Sequence, residues 1–318
     1  MIDFLTSKGK TALLFAFVLV LGTSAFAQVS LTEALDGDLD GRADYTVFRP
    51  SNNTWYTRGS AGGYTTQTFG FANEDFPTPG DYDGDNKADL SVWRDANGTW
   101  YRINSSTNTF VVQPFGLSGD EAVGRDFDGD GKTDVAVARR TGGALIWYVL
   151  ASTAGYSSQQ WGFATDFTAP GDYDGDGKFD LAVQRPGASP TALGTFYVLK
   201  SGGGINVTTF GFSDDLFAPG DYDGDGKTDL AVIREGSTPT SPLTWYILGS
   251  LGGFTERTFG FTGSDLNVQN DYDADGKTDY AVWRNSDGNF YVLTAAGAFY
   301  NFQWGLPGDY PIASYDTH

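Results

Sequence analysis

The chain has 318 residues with no Cys, one Met, one His, 43 Gly and a formal net charge of -20. Without Cys there is no disulfide or thiol chemistry, and the single histidine, the terminal His318, leaves little room for imidazole catalysis. So acidic a chain repels nucleic acid and anionic membranes, so the expected partners are cations, a glycan or another protein.

Residues 1–27 have the layout of an export signal peptide: Lys8 and Lys10, the apolar run TALLFAFVLVLG, and small residues ending in AFA before Gln28. A membrane-spanning helix needs about 20 apolar residues, so the run is too short for an anchor and no stable membrane insertion is expected. The expectation is a secreted protein, extracellular, cell-surface or periplasmic, with a single domain over 28–318.

From residue 36 onward the chain repeats itself. The motif D-x-D-x-D-G/N-K/R-x-D starts at Asp36, Asp81, Asp126, Asp172, Asp221 and Asp271, at intervals of 45, 45, 46, 49 and 50 residues. Each copy continues with an apolar run such as LAVIR (230–234), a polar hairpin, and an aromatic run: TWYTR, TWYRI, IWYVL, TFYVL, TWYIL or NFYVL. A closing phrase of the FGF or WGL type follows, at Phe69–Phe71, Phe115–Leu117, Trp161–Phe163, Phe210–Phe212, Phe259–Phe261 and Trp304–Leu306. Short β-branched and aromatic runs between Gly, Asn and Asp turns predict strands. Each copy then supplies four: strand a before the acidic loop, b after it, then c and d. Four antiparallel strands at a period of 40–50 residues predict one propeller blade. The expected fold is all-β, a six-bladed β-propeller of four-stranded antiparallel blades; a seven-bladed ring, or an open ring completed by another subunit, is the alternative. The C-terminal stretch DYPIASYD (309–316) reads as one more strand a, whereas VSLTEAL before the first loop is a poor one. The C-terminal segment is therefore expected to close the ring by pairing into the first blade. If it paired with a neighbouring molecule, the protein would self-assemble.

The acidic loops predict metal. Counting the first Asp as position 1, carboxylates stand at positions 1, 3, 5 and 9, with Gly or Asn at position 6 for the turn. The residue at position 7 offers its backbone carbonyl. The sets are Asp36, Asp38, Asp40, Arg42, Asp44; Asp81, Asp83, Asp85, Lys87, Asp89; and Asp126, Asp128, Asp130, Lys132, Asp134. The later copies give Asp172, Asp174, Asp176, Lys178, Asp180; Asp221, Asp223, Asp225, Lys227, Asp229; and Asp271, Asp273, Asp275, Lys277, Asp279. Four carboxylates with a carbonyl and a water fall within the 6–8 oxygen ligands of calcium, and without a cation they would repel one another. About six calcium ions are expected, one per blade. The loop opens like an EF-hand but has apolar residues such as Val92, Val183 and Val232 where an EF-hand has its bidentate Glu, and strands instead of helices.

Over residues 29–316 these repeats resemble the FG-GAP or VCBS type, the calcium-loop blades of the integrin alpha-subunit propeller and of many exported bacterial proteins. The resemblance implies the propeller fold and calcium on the matching aspartates, and leaves function open. Three departures stand out: Asn86 at position 6 of the second loop, Ala274 at position 4 of the sixth, and Leu39 at position 4 of the first.

Other residues recur. An Arg follows each position 9 by five residues: Arg49, Arg94, Arg139, Arg185, Arg234 and Arg284. They are expected to stack on or pair with a neighbouring strand, though a ring of them could bind an anionic polymer. Asp75, Asp120, Asp166, Asp215, Asp265 and Asp309 precede most loops and are expected to cap turns. The hairpin between strands b and c is long in the fourth copy, RPGASPTALGTF, and in the fifth, REGSTPTSPLTW. These two insertions, on the face opposite the acidic loops, are the first place to look for a specific ligand site. The functional expectation is a non-catalytic binding or adhesion module for a glycan or protein ligand. The alternative is a self-assembling structural protein, and a polysaccharide-active enzyme is the remaining reading.

Overall fold

The computed structural model describes residues 35–313. The export-signal reading of 1–27, nearly all of VSLTEAL, and His318 fall outside them. Among the described residues the chain forms 24 strands in six four-stranded antiparallel sheets. Blade 2 takes Asp75–Pro77, Leu90–Arg94, Thr99–Ile103 and Phe110–Pro114 as strands a to d. Blade 3 takes Glu121–Ala122, Val135–Thr141, Ala144–Ala151 and Gly155–Phe163. Blade 4 takes Phe167–Thr168, Leu181–Arg185, Leu193–Leu199 and Ile205–Phe212. Blade 5 takes Leu216–Phe217, Leu230–Arg234, Pro242–Leu248 and Phe254–Phe261. Blade 6 takes Asp265–Asn267, Tyr280–Arg284, Asn289–Leu293 and Phe299–Gln303.

Blade 1 is assembled from both ends of the chain. Strands b to d are Tyr45–Arg49, Thr54–Arg58 and Tyr64–Thr68, and strand a is the C-terminal Tyr310–Ile312. The register pairs Thr46 with Ile312, Val47 with Pro311 and Phe48 with Tyr310. The chain thus covers its own otherwise open edge, as expected from DYPIASYD, and the ring has six blades and no partner-supplied strand.

Strand c shows why these segments form strands. In Ala144–Ala151 burial alternates strictly, with Leu145, Trp147, Val149 and Ala151 inside. Trp55, Trp100, Trp147 and Trp245 are almost wholly buried at matching places, and each indole N–H donates to the carbonyl opening the next closing phrase, at 2.9–3.0 Å. The aromatic runs therefore pack between blades, as the cluster joining Leu145, Trp147 and Val149 of blade 3 to Val183 of blade 4 illustrates. Truncating such a Trp to Ala costs about 3–5 kcal/mol. Up-and-down connection puts the a–b loops and c–d hairpins on one face of the disc, and the b–c hairpins and d–a turns on the other.

Candidate metal centres

The acidic loops lie between strands a and b, and each is folded around its own first aspartate. In loop 2 the Asp81 carboxylate accepts the backbone N–H groups of Gly84, Asp85 and Asn86 at 2.6, 3.2 and 2.7 Å. The same pattern recurs at Asp126, Asp172 and Asp221. Position 9 closes the loop: Asp89 takes the N–H of Tyr82 on one oxygen and that of Ser105, in the c–d hairpin, on the other. Position 5 accepts the N–H of position 7, as in Lys87 to Asp85 at 3.0 Å.

This folding brings carboxylates together as the spacing predicts. Asp36, Asp38 and Asp40 present oxygens within 4.8 Å of one another, as do Asp81, Asp83 and Asp85, and Asp221, Asp223 and Asp225. In loops 3 and 4 the convergent sets are Asp126, Asp128, Asp134 and Asp172, Asp174, Asp180, with position 9 in place of position 5. The cations at position 7 also make contacts of their own. Their N–H groups brace position 5, and the stems of Lys132, Lys178, Lys227 and Lys277 lie across position 4 of the preceding loop. A Cβ built on Gly84, Gly129, Gly175 or Gly224 would come within 2.6–3.0 Å of them. Each of these glycines also has φ between 74° and 83°, so backbone and neighbour both favour glycine there.

The decisive detail is at position 3. Oδ1 of Asp83, Asp128, Asp174, Asp223 and Asp273 is buried and has no hydrogen-bond partner. In Asp83, Asp128 and Asp223 the other oxygen is held by the c–d hairpin, as where Ser106 bonds Asp83 or Leu251 N–H bonds Asp223. A desolvated carboxylate oxygen without a partner costs several kcal/mol. Five at one structural position, each beside other acids, would be satisfied together by one hard, oxygen-seeking divalent cation per loop, and the all-oxygen donor set suits such an ion.

The electrostatics agree. Burial pushes the position 9 carboxyls up, Asp44, Asp89 and Asp180 to about 6 and Asp134, Asp229 and Asp279 to about 7, against backbone hydrogen bonds and with help from neighbouring carboxylates. Burial raises Asp81, Asp126, Asp172 and Asp271 as well. A bound cation favours the ionised forms and removes this conflict.

Sequence reasoning missed a supporting residue, a serine at the start of the c–d hairpin. Ser60, Ser105, Ser201 and Ser250 donate Oγ–H to position 5 at 2.7–2.8 Å, and Ser152 does the same in loop 3. Its signal was present, a Ser just after strand c in five of six copies, with Ala295 in the sixth. Such outer contacts orient ligands.

The opposite face carries the six arginines. Each makes a two-pronged ion pair with the recurring Asp, as in Arg94 with Asp75 at 2.6 and 2.8 Å and Arg284 with Asp265 at 2.7 Å twice. Arg49 reaches Asp309, joining the chain ends. Each guanidinium also lies 4.2–4.7 Å from the ring of the strand c tyrosine. The aspartates cap the closing phrase too, Asp75 accepting Phe71 N–H at 2.8 Å. Both structural readings therefore hold, and the six carboxylate side chains are buried. The pairing itself, at a constant 19 residues in blades 2 to 6, was overlooked.

Fold and loops together define a six-bladed propeller with an acidic, metal-ready loop in each blade. Residues 126–183, from the third loop into strand b of blade 4, match the family model described as FG-GAP-like repeat, and over that stretch the resemblance read from the motif is borne out. No curated protein matches the chain. Solved structures similar in fold include a functionally unknown protein from Desulfotomaculum acetoxidans, 12% identical, covering 85% of this chain and 99% of that one, TM-score 0.47. AofleA from Arthrobotrys oligospora is 9% identical, with 90% and 94% covered and TM-score 0.47. A catalytically inactive virginiamycin B lyase from Staphylococcus aureus is also 9% identical, with 88% and 90% covered and TM-score 0.43. Among the described residues no helix is long and apolar enough to cross a membrane.

Proposed function

We propose that this chain is an exported calcium-loaded β-propeller, in which calcium in each acidic loop stabilises its blade and the assembled disc acts as a non-catalytic binding module for a glycan or protein ligand. The observation that carries the metal reading is the buried, unpartnered Oδ1 at position 3 in five loops. Positions 1, 3 and 5 or 9 would hold the ion, which supplies positive charge to the carboxylates and no reaction. Six such ions would return twelve positive charges against the formal -20.

The loops are alike from blade to blade, so ligand choice is assigned to where blades differ. The long hairpins of blades 4 and 5 are built alike: Gly187 N–H donates to Ser213 Oγ and Gly236 N–H to Thr262 Oγ1. The carbonyls of Ala192 and Ser241 accept the N–H groups of Ser213 and Thr262. Each hairpin is pinned over the d–a turn of its own blade, leaving 187–191 and 237–240 exposed. Calcium measured by equilibrium dialysis on metal-stripped protein should give about six ions per chain, and none bound would overturn the metal reading. A glycan and protein array probed with calcium-loaded protein should give ligands that are lost when both hairpins are shortened to the length in blade 2. Binding unchanged by that exchange would refute the assignment.

A further inference from the structure

The six loops are not equal. Resting on calcium as the loop ion, we infer that two of the six sites, loops 1 and 6, are of lower affinity than the rest, and that because they flank the junction where the chain ends meet, ring closure is the calcium-sensitive part of the molecule. Position 4 has positive φ in all six loops. Loops 2 to 5 meet this with Gly84, Gly129, Gly175 and Gly224, but loop 1 has Leu39 at φ 61° and loop 6 has Ala274 at φ 62°. A side chain at such a backbone angle is strained, and the strain is borne whenever the loop is held in its metal-ready shape.

Two further differences, at other residues, add to these two loops, whereas the Asn86 of loop 2, at φ 64° in position 6, is a residue type that tolerates the left-handed region. The serine that orients position 5 is replaced in blade 6 by Ala295, which keeps its backbone bond to Asp279 but has no hydroxyl. In loop 1 the position 3 carboxylate, Asp38, is exposed, whereas Asp83, Asp128, Asp174, Asp223 and Asp273 are half-buried. Water therefore competes more freely for a cation in loop 1.

The two loops are neighbours across the seam. Ala43 N–H donates to Asp271 carbonyl at 2.8 Å, and a Cβ on Gly41 would lie 3.7 Å from that of Ala274. Loop 1 leads into Tyr45–Arg49, the strand that receives the closing strand Tyr310–Ile312. In blades 2 to 6 the acidic loop joins strands a and b covalently. In blade 1 it does not, so strand a is retained there by three residue pairs and by the Arg49–Asp309 ion pair. Loss of order in loop 1 therefore loosens a strand that is tethered only through the turn 304–309 from blade 6 and by no a–b loop.

The test is a calcium titration of metal-stripped full chain, followed by calorimetry and by hydrogen exchange at matched free calcium. The expected result is two classes, four sites filling first and two at about tenfold higher calcium, the penalty of one strained left-handed residue. Between the two, residues 36–49, 271–279 and 310–312 should exchange quickly while blades 2 to 5 stay protected. The triple variant Leu39→Gly, Ala274→Gly, Ala295→Ser should merge the two classes into one. Six equivalent sites, a seam protected as early as the other blades, or a triple variant with unchanged classes would each overturn this inference and leave the calcium reading standing. No binding at any calcium concentration would overturn both.

Discussion

Arg234→Ala in blade 5 isolates one ion pair of the far face. Asp215, whose side chain is 2% exposed, accepts Nε at 2.9 Å, Nη2 at 2.8 Å and the Phe212 N–H at 2.6 Å. The guanidinium lies between the rings of Phe212 and Tyr246, 3.5 and 4.5 Å from their centroids. Removing one partner of a buried pair costs about 3–5 kcal/mol. The Arg234 side chain is 30% exposed, and solvent screening reduces the figure to about 2–3 kcal/mol. In a domain of this size that lowers the melting midpoint by roughly 3–6 °C. Asp215→Asn preserves shape and loses charge, so it should cost about half as much, and the double variant should cost less than the sum. The assay is thermal unfolding in calcium-saturated buffer. A fall of under about 1 °C for Arg234→Ala would refute the view that these pairs hold the far face together.

Two further outcomes are expected. Without metal, the position 9 carboxyls have folded-state values near 6 to 7, above the usual 3.8. They contribute stability that is complete below about pH 4 and lost as pH rises through 6 to 7, about 1 kcal/mol per loop after allowance for solvent. The midpoint in excess chelator should therefore fall from pH 5 to pH 8, and a flat or rising profile would contradict the burial argument. Gly175→Ala should weaken calcium at loop 4 about tenfold, because its φ is 74° and the new Cβ would press on Lys227; calorimetry showing wild-type affinity would remove the role given to that glycine.

Much of the fold was legible because the repeat is. Six copies of one loop and one aromatic run determine blade number, and the alternation in strand c determines which side chains face the next blade. Strand a was harder to see, since Glu121–Ala122 or Leu216–Phe217 are two residues long and take their place from pairing. The acidic sets were legible from spacing alone. What spacing could not give were contacts between segments: the hairpin serines reaching position 5, the lysine stems crossing the preceding loop, and the arginine–aspartate pairs. Each joins residues 19 to 53 positions apart, or 260 for Arg49 and Asp309, whose proximity depends on the blades being folded and, in the last case, on the ring being closed.

The claim that the acidic loops are calcium cages that stabilise the blades is tested most directly by melting one preparation in saturating calcium and again in excess chelator. An ion at a hundred times its dissociation constant contributes about 2.7 kcal/mol per site, so several sites together should move the midpoint by more than about 10 °C, reversibly on restoring calcium. A midpoint that is the same in both buffers would contradict the account.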